Sequence, residues 1–162
     1  MKIPLVGPTA AQRSLPWDAQ RTINLFPLKD QMGKEVTALY GTPGKSLFST
    51  AGIGPNRGAF ASTNDRAFAV SGSILYEIDS GGTATLMGNL DTSSGTVTIA
   101  ENGPQLAICD GQFLYIFTYA TNAFAKVTDP DFPLSVGMVT YIDGYFVVNE
   151  NDSGRFYISA LN

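Results

Sequence analysis

From residue 57 onward, apolar and polar positions alternate in short runs separated by turn-forming residues. The period is two: Phe68 and Val70 share one face of a run, as do Leu106 with Ile108 and Phe146 with Val148. That alternation predicts half-buried strands. The first group reads as strands over 57–62, 66–71, 73–78 and 83–88, and the second as strands over 96–101, 105–110, 112–118 and 123–128. The third group reads as strands over 136–142, 145–149 and 155–160. Asn64-Asp65, Ser71-Gly72, Gly81-Gly82, Asn102-Gly103-Pro104, Asp110-Gly111, Thr121-Asn122 and Asp143-Gly144 supply the turns. Small residues fill several alternate positions, at Ala59, Ala61, Ala67, Ala69 and Ala107. They predict close stacking of neighbouring sheets. No window of helical length carries a 3.6-residue period, so little helix is expected.

The groups repeat. Tyr76, Tyr115 and Tyr157 occupy matching places, 39 and 42 residues apart. A period near 40 built from short strands is the signature of β-propeller blades. The expected fold is all-β: a propeller-like array of four-stranded antiparallel blades, with about two and three-quarter blades present. The units run over 57–90, 95–128 and 136–162. Closed propellers need about four to eight blades. The expectation is therefore an N-terminal piece of something longer, or a chain that completes its sheets with another.

Residues 1–56 read differently. They hold six of the nine prolines, which forbids long helices and central strands. We expect an extended arm with strand-like pieces at Ile23–Phe26, Val36–Tyr40 and Ser46–Ser49. Two aromatics of this arm, Trp17 and Phe26, stand outside the repeated strand pattern. They are the arm's best candidates for contact with another surface, since aromatic anchors dominate interfaces.

Charge divides the chain. Residues 1–66 hold eight Lys/Arg against four Asp/Glu, and residues 67–162 hold two against ten. An acidic second part argues against a surface that grips nucleic acid there, because phosphate binding needs clustered cations. The asymmetry permits one copy's N-terminal segment to meet a neighbour's acidic face. Cys109 is the single cysteine, so no intrachain disulfide forms; its apolar neighbours point to a buried structural thiol. No run is long and apolar enough to read as a membrane span.

The chain has no histidine, which removes His-based triads and the common zinc sets. Gly41-Thr-Pro-Gly44-Lys45-Ser46 imitates the end of a phosphate loop. Leu39 stands where the first glycine is required, and Pro43 lacks an amide donor, so a type II Pro-Gly turn is the reading. Asn149 to Gly154 imitates the front of a calcium loop. Ala160 falls where a bidentate Glu is needed, so a hairpin loop is expected. Asp129-Pro-Asp131 reads as turn chemistry rather than a catalytic carboxylate pair. No catalytic, cofactor or metal residue is assigned.

The segments Ala19-Gln-Arg21-Thr-Ile23-Asn24-Leu25-Phe26-Pro27, Leu39-Tyr-Gly41-Thr-Pro43-Gly44 and the blade-like Arg57-Gly58, Gly72 and Leu75-Tyr76 stand in a characteristic order. With Asp129-Pro-Asp-Phe-Pro133 and Tyr141-Ile-Asp-Gly-Tyr-Phe146, they resemble the start of phage tail proteins of the packaged-DNA stabilisation type. The resemblance implies a structural, non-enzymatic tail hub or nozzle subunit of short-tailed phages or prophages, needing no cofactor. Its copies would assemble as a ring, by resemblance a hexamer, against portal, adaptor and other tail proteins. DNA would pass through without sequence-specific binding, and no membrane would be involved. The location implied is the virion tail, after assembly in the bacterial cytoplasm. Arg13, Trp17, Arg21, Leu25 and Phe26 are the candidate inter-subunit contacts. Two other readings stay open: a propeller module that binds or hydrolyses glycans, and a truncated prophage relic.

Overall fold

In the computed structural model, residues 23–29 and 36–160 are described. They form strands and turns, with no helix among them. The chain divides after Ser46 into two units.

The first unit contains one antiparallel hairpin, β1 (Leu25–Lys29) with β2 (Val36–Gly41). Phe26 lies opposite Tyr40 and the two rings stack at 6.0 Å. The expected strand at Ser46–Ser49 is absent; the chain there is irregular. The expected type II turn at Pro43-Gly44 is absent too, since Gly44 does not take the left-handed conformation that turn requires. The reason is visible at Thr42. Its N–H donates to the Asn24 carbonyl at 2.9 Å and prolongs the hairpin ladder, so the chain runs on instead of turning.

The second unit is a stack of three antiparallel sheets. The first sheet has the order β3 (Asn56–Ala61), β4 (Ala67–Ser71), β5 (Ile74–Ile78), β6 (Ala84–Asn89). The second follows the same path through β7 (Thr98–Glu101), β8 (Gln105–Cys109), β9 (Leu114–Thr118) and β10 (Ala123–Lys126). The third has β11 (Val136–Ile142), β12 (Tyr145–Glu150) and β13 (Phe156–Ile158). Each strand pairs with its sequence neighbour, so every sheet is a meander. The tight turns carry the residues they need: Asp143 and Gly144 both have positive φ, as the twist-matching two-residue hairpin turn requires.

Two apolar layers join the sheets. Phe68, Val70 and Leu75 of the first sheet meet Leu106, Ile108, Tyr115 and Phe117 of the second. The opposite face of the second sheet, through Ala100, Ala107, Cys109 and Leu114, meets Val136, Val139, Phe146 and Val148 of the third. The alternation read from the sequence thus selects the buried faces. The small residues do not all behave as expected. Ala107 is sealed between the second and third sheets, whereas Ala59, Ala61 and Ala67 are exposed. They lie on the face of the first sheet that points away from the second.

The first junction is closed at one end by Arg57, a cation buried to 7 % exposure. Its Nε donates to the Gly95 carbonyl at 2.9 Å. Nη1 donates to the carbonyls of Gly72 (2.9 Å) and Thr92 (2.7 Å), and Nη2 reaches Thr92 Oγ1, Ser94 O and Asp110 O. One planar fork therefore ties the β4–β5 turn, the linker between the sheets and the β8–β9 turn. Asp110 is buried beside it. Its carboxylate accepts the N–H groups of Gln112 and Phe113 and stands within 2.8 Å of Thr92 Oγ1.

Replacing Arg57 by Ala strands several buried carbonyls, each costing about 1–3 kcal/mol when unpaired. We expect a loss of about 3 kcal/mol or more in urea unfolding, with Arg57→Lys recovering only part because it lacks the fork. Gly88 is needed for a different reason. A Cβ there would overlap the Phe124 ring across the junction. Gly88→Ala should cost about 1–3 kcal/mol by overpacking, and a double-mutant cycle with Phe124→Leu should show that the increment shrinks.

Candidate functional site

Among the described residues, the densest group of chemistry-bearing side chains lies at the other end of the first junction from Arg57. β3 delivers the chain to Ser62, β7 ends in Glu101 and β9 runs into Tyr119. The Tyr119 hydroxyl lies 2.7 Å from Ser62 Oγ and 2.8 Å from Glu101 Oε1. Ser62 Oγ donates to Glu101 Oε1 at 2.5 Å and also contacts Asn64. The N–H of Thr63 donates to the other carboxylate oxygen at 2.9 Å. Beside them Arg66 forms a two-toothed pair with Glu77, at 2.7 and 2.6 Å, and bonds Asn122 at 2.9 Å. The same guanidinium sits over the rings of Phe68, Phe117 and Tyr119.

A serine against a carboxylate invites a catalytic reading, but the proton affinities oppose it. Burial disfavours the Glu101 carboxylate, yet the hydrogen bonds from Ser62, Thr63 and Tyr119 outweigh burial and hold its pKa below the ordinary value. A carboxylate so stabilised is a weak base. Burial first, with Glu101 adding, pushes the Tyr119 hydroxyl up. The group holds the first two sheets together at this end, as Arg57 does at the other.

The other sequence candidates find structural uses. Asn151 Nδ2 donates to the Gly111 carbonyl at 2.9 Å and to Ser135 Oγ at 2.8 Å, and Asn149 Oδ1 accepts the Met138 N–H at 2.8 Å. These bonds bind the third sheet to the second. Residues 151–154 form the turn between β12 and β13. Asp129 Oδ1 accepts the Asp131 N–H at 2.9 Å, the turn chemistry expected of that segment. Cys109 is fully buried and its Sγ lies 3.5 Å from the Val136 carbonyl. Burial raises its pKa, as befits an inert thiol.

Of the five candidate contact residues, Arg13, Trp17 and Arg21 lie outside the described residues. Leu25 and Phe26 are on β1, exposed to 41 % and 44 %. They share the hairpin with Leu28 and Tyr40, which are also exposed. The hairpin thus presents a small apolar, aromatic surface. Sequence reasoning missed Arg57, Ser62, Glu101 and Tyr119. The one signal for Arg57 was a cation opening an apolar repeat unit. A register shift between Asn56 and Gly58 breaks the strand parity there and hides which face the side chain takes.

Stacked antiparallel meanders repeating about every 40 residues, with polar clasps at the sheet ends, define a β-propeller architecture. The whole chain, residues 1–162, matches the family model described as Bacteriophage P22 Gp10, beta-propeller. The chain belongs to that family, and it is a phage structural protein concerned with DNA stabilisation. No individual curated protein matches it.

The lowered Glu101 pKa has a pH consequence. Its contribution to stability is fully present above the ordinary value of 4.5 and is lost as the pH falls through the lowered value of the folded state. Glu101→Gln should flatten the acid side of a stability-against-pH curve measured by urea unfolding, while leaving the slope near neutrality unchanged.

Proposed function

We propose that this protein is a non-catalytic tail component that closes or extends the portal exit channel and so keeps packaged DNA in place. The observation that carries this reading is the full-length family match together with a scaffold whose polar clusters are consumed in holding sheets together. The partners are other copies of the chain, in a ring that the family resemblance gives as a hexamer, with portal, adaptor and further tail proteins. DNA passes without sequence-specific contact. Assembly takes place in the bacterial cytoplasm, and the finished protein sits in the virion tail.

Charge fits a channel through which DNA must slide. Residues 67–162 carry ten carboxylates against two cations, and like charge keeps DNA from sticking. Asp79, Asp91, Asp129, Asp131, Asp143 and Asp152 all occupy exposed turns or linkers. Contacts between copies are assigned to the N-terminal part, through Arg13, Trp17, Arg21, Leu25 and Phe26. Leu25 and Phe26 are the two whose exposure supports the assignment.

Virions assembled without this protein should release their DNA, and supplying it should restore retention; full DNA retention in its absence would contradict the proposal. Leu25→Asp with Phe26→Ala should weaken association of purified copies, seen as a lower mass in light scattering, without altering the unfolding transition of the sheet stack. An unchanged mass would remove these two residues from the interface.

A further inference from the structure

The two junctions of the stack are built alike, except at one place. In the first junction, β10 pairs antiparallel with β9 and sends Phe124 across the sheet face. The ring stacks on Tyr115 at 5.2 Å, nearly parallel, and fills the space against Gly88. Two residues on, Lys126 projects from the same face and bonds Asp91 at 2.7 Å. Asp91 belongs to the linker that follows β6. The fourth strand of the second sheet therefore brings an aromatic plug and a cation, spaced i and i+2, to the junction.

At the matching place in the second junction there is a cavity of about 460 Å³. Its walls are Ile116 and Val127 of the second sheet, Val148 and Tyr157 of the third, and Phe132 of the linker. Tyr157 is the repeat partner of Tyr115, and its ring has no aromatic partner among the described residues. Asp129 and Asp131, in the linker that follows β10, stand at the rim as Asp91 does in the first junction. Neither carboxylate has an ion-pair partner among the described residues.

The adjoining sheet edge is open. Among the described residues no strand pairs with the outer side of β13. The Ser159 N–H donates inward to the Phe146 carbonyl, and pairing continues at Tyr157 with Val148. Antiparallel alternation then turns the N–H and C=O groups of Phe156 and Ile158 to the open edge. An edge of this kind is a template for an added strand.

From the cavity, the edge and the rim charge together, we propose that β13 binds a strand supplied by a second polypeptide. That strand carries an aromatic residue followed two positions later by Lys or Arg. The aromatic ring enters the cavity against Tyr157, and the cation meets Asp129 or Asp131. The pattern is a demanding one for this chain to meet itself. Of its eighteen aromatic residues, Phe124 alone is followed at i+2 by a cation, and β10 is already paired.

The probe is a labelled peptide with the sequence of residues 121–128, Thr-Asn-Ala-Phe-Ala-Lys-Val-Thr, titrated into the intact 162-residue chain and followed by fluorescence anisotropy. Saturable binding is expected. Replacing Phe124 of the peptide by Ala should weaken it about tenfold or more. Replacing Lys126 of the peptide by Ala should weaken it less and remove most of its salt dependence. In the chain, Ile158→Pro deletes an outward N–H without touching the ladder to β12, and should abolish binding while circular dichroism stays unchanged. That variant also separates binding at β13 from exchange of the peptide with β10. The proposal is overturned by no binding at millimolar peptide, by equal binding of the Phe124→Ala peptide, or by binding that survives Ile158→Pro in a folded chain. It is also overturned if the chain is a dimer that Ile158→Pro dissociates, since the edge would then serve a second copy.

Discussion

Burial of paired sheet faces is the constraint on which this structure depends. A four-stranded meander has two faces and cannot hide either alone. The second sheet solves this by being covered on both sides: Leu106, Ile108, Tyr115 and Phe117 turn to the first sheet, and Ala107, Cys109 and Leu114 to the third. Its strands are accordingly the most completely buried, with β8 inaccessible from Leu106 to Cys109. The polar ends of the stack follow from the same constraint. Where linkers and turns cross between sheets, backbone carbonyls lose water and must find donors. Arg57 supplies five donors from one planar group at one end, and the Ser62, Glu101 and Tyr119 cluster ties the other.

This arrangement explains why polar residues that look reactive are consumed by architecture. Glu101 is stabilised as an anion, Tyr119 is held protonated, and Asp110 spends its carboxylate on two backbone amides of the β8–β9 turn. Such a scaffold resists shear between sheets, because apolar burial is flanked by directional bonds at both ends. For a phage structural protein concerned with DNA stabilisation, shape retention under load is the relevant property.

Much of the fold was legible in the sequence because the period of two and the repeat near 40 act over short distances. The strands of the three groups fall within a few residues of their expected places, and Phe68, Val70, Leu106, Ile108, Phe146 and Val148 are buried as their alternation requires. Two features misled. Ala59, Ala61 and Ala67 have the size for close stacking but lie on the face turned from the second sheet, and size alone does not say which face is covered. Pro43-Gly44 has turn composition, yet the bond from Thr42 to Asn24 carries the hairpin past it. The clasps were illegible for a different reason. Arg57 meets Gly95 and Asp110, 38 and 53 residues away, through backbone carbonyls that carry no side-chain signature. Of the candidate contacts, Leu25 and Phe26 could be read as apolar residues without a place in the blade pattern, and they are exposed.

The central claim is that the first and second sheets behave as one cooperative body locked across their shared face. Native-state hydrogen exchange on the intact chain tests it most directly. The account predicts that the amides of β4, β5, β8 and β9 exchange through a single opening with a common free energy, and that this value falls together in both sheets when Arg57 is replaced. Separate opening energies for the two sheets, or a loss confined to β3 and β4 in the Arg57 variant, would contradict it.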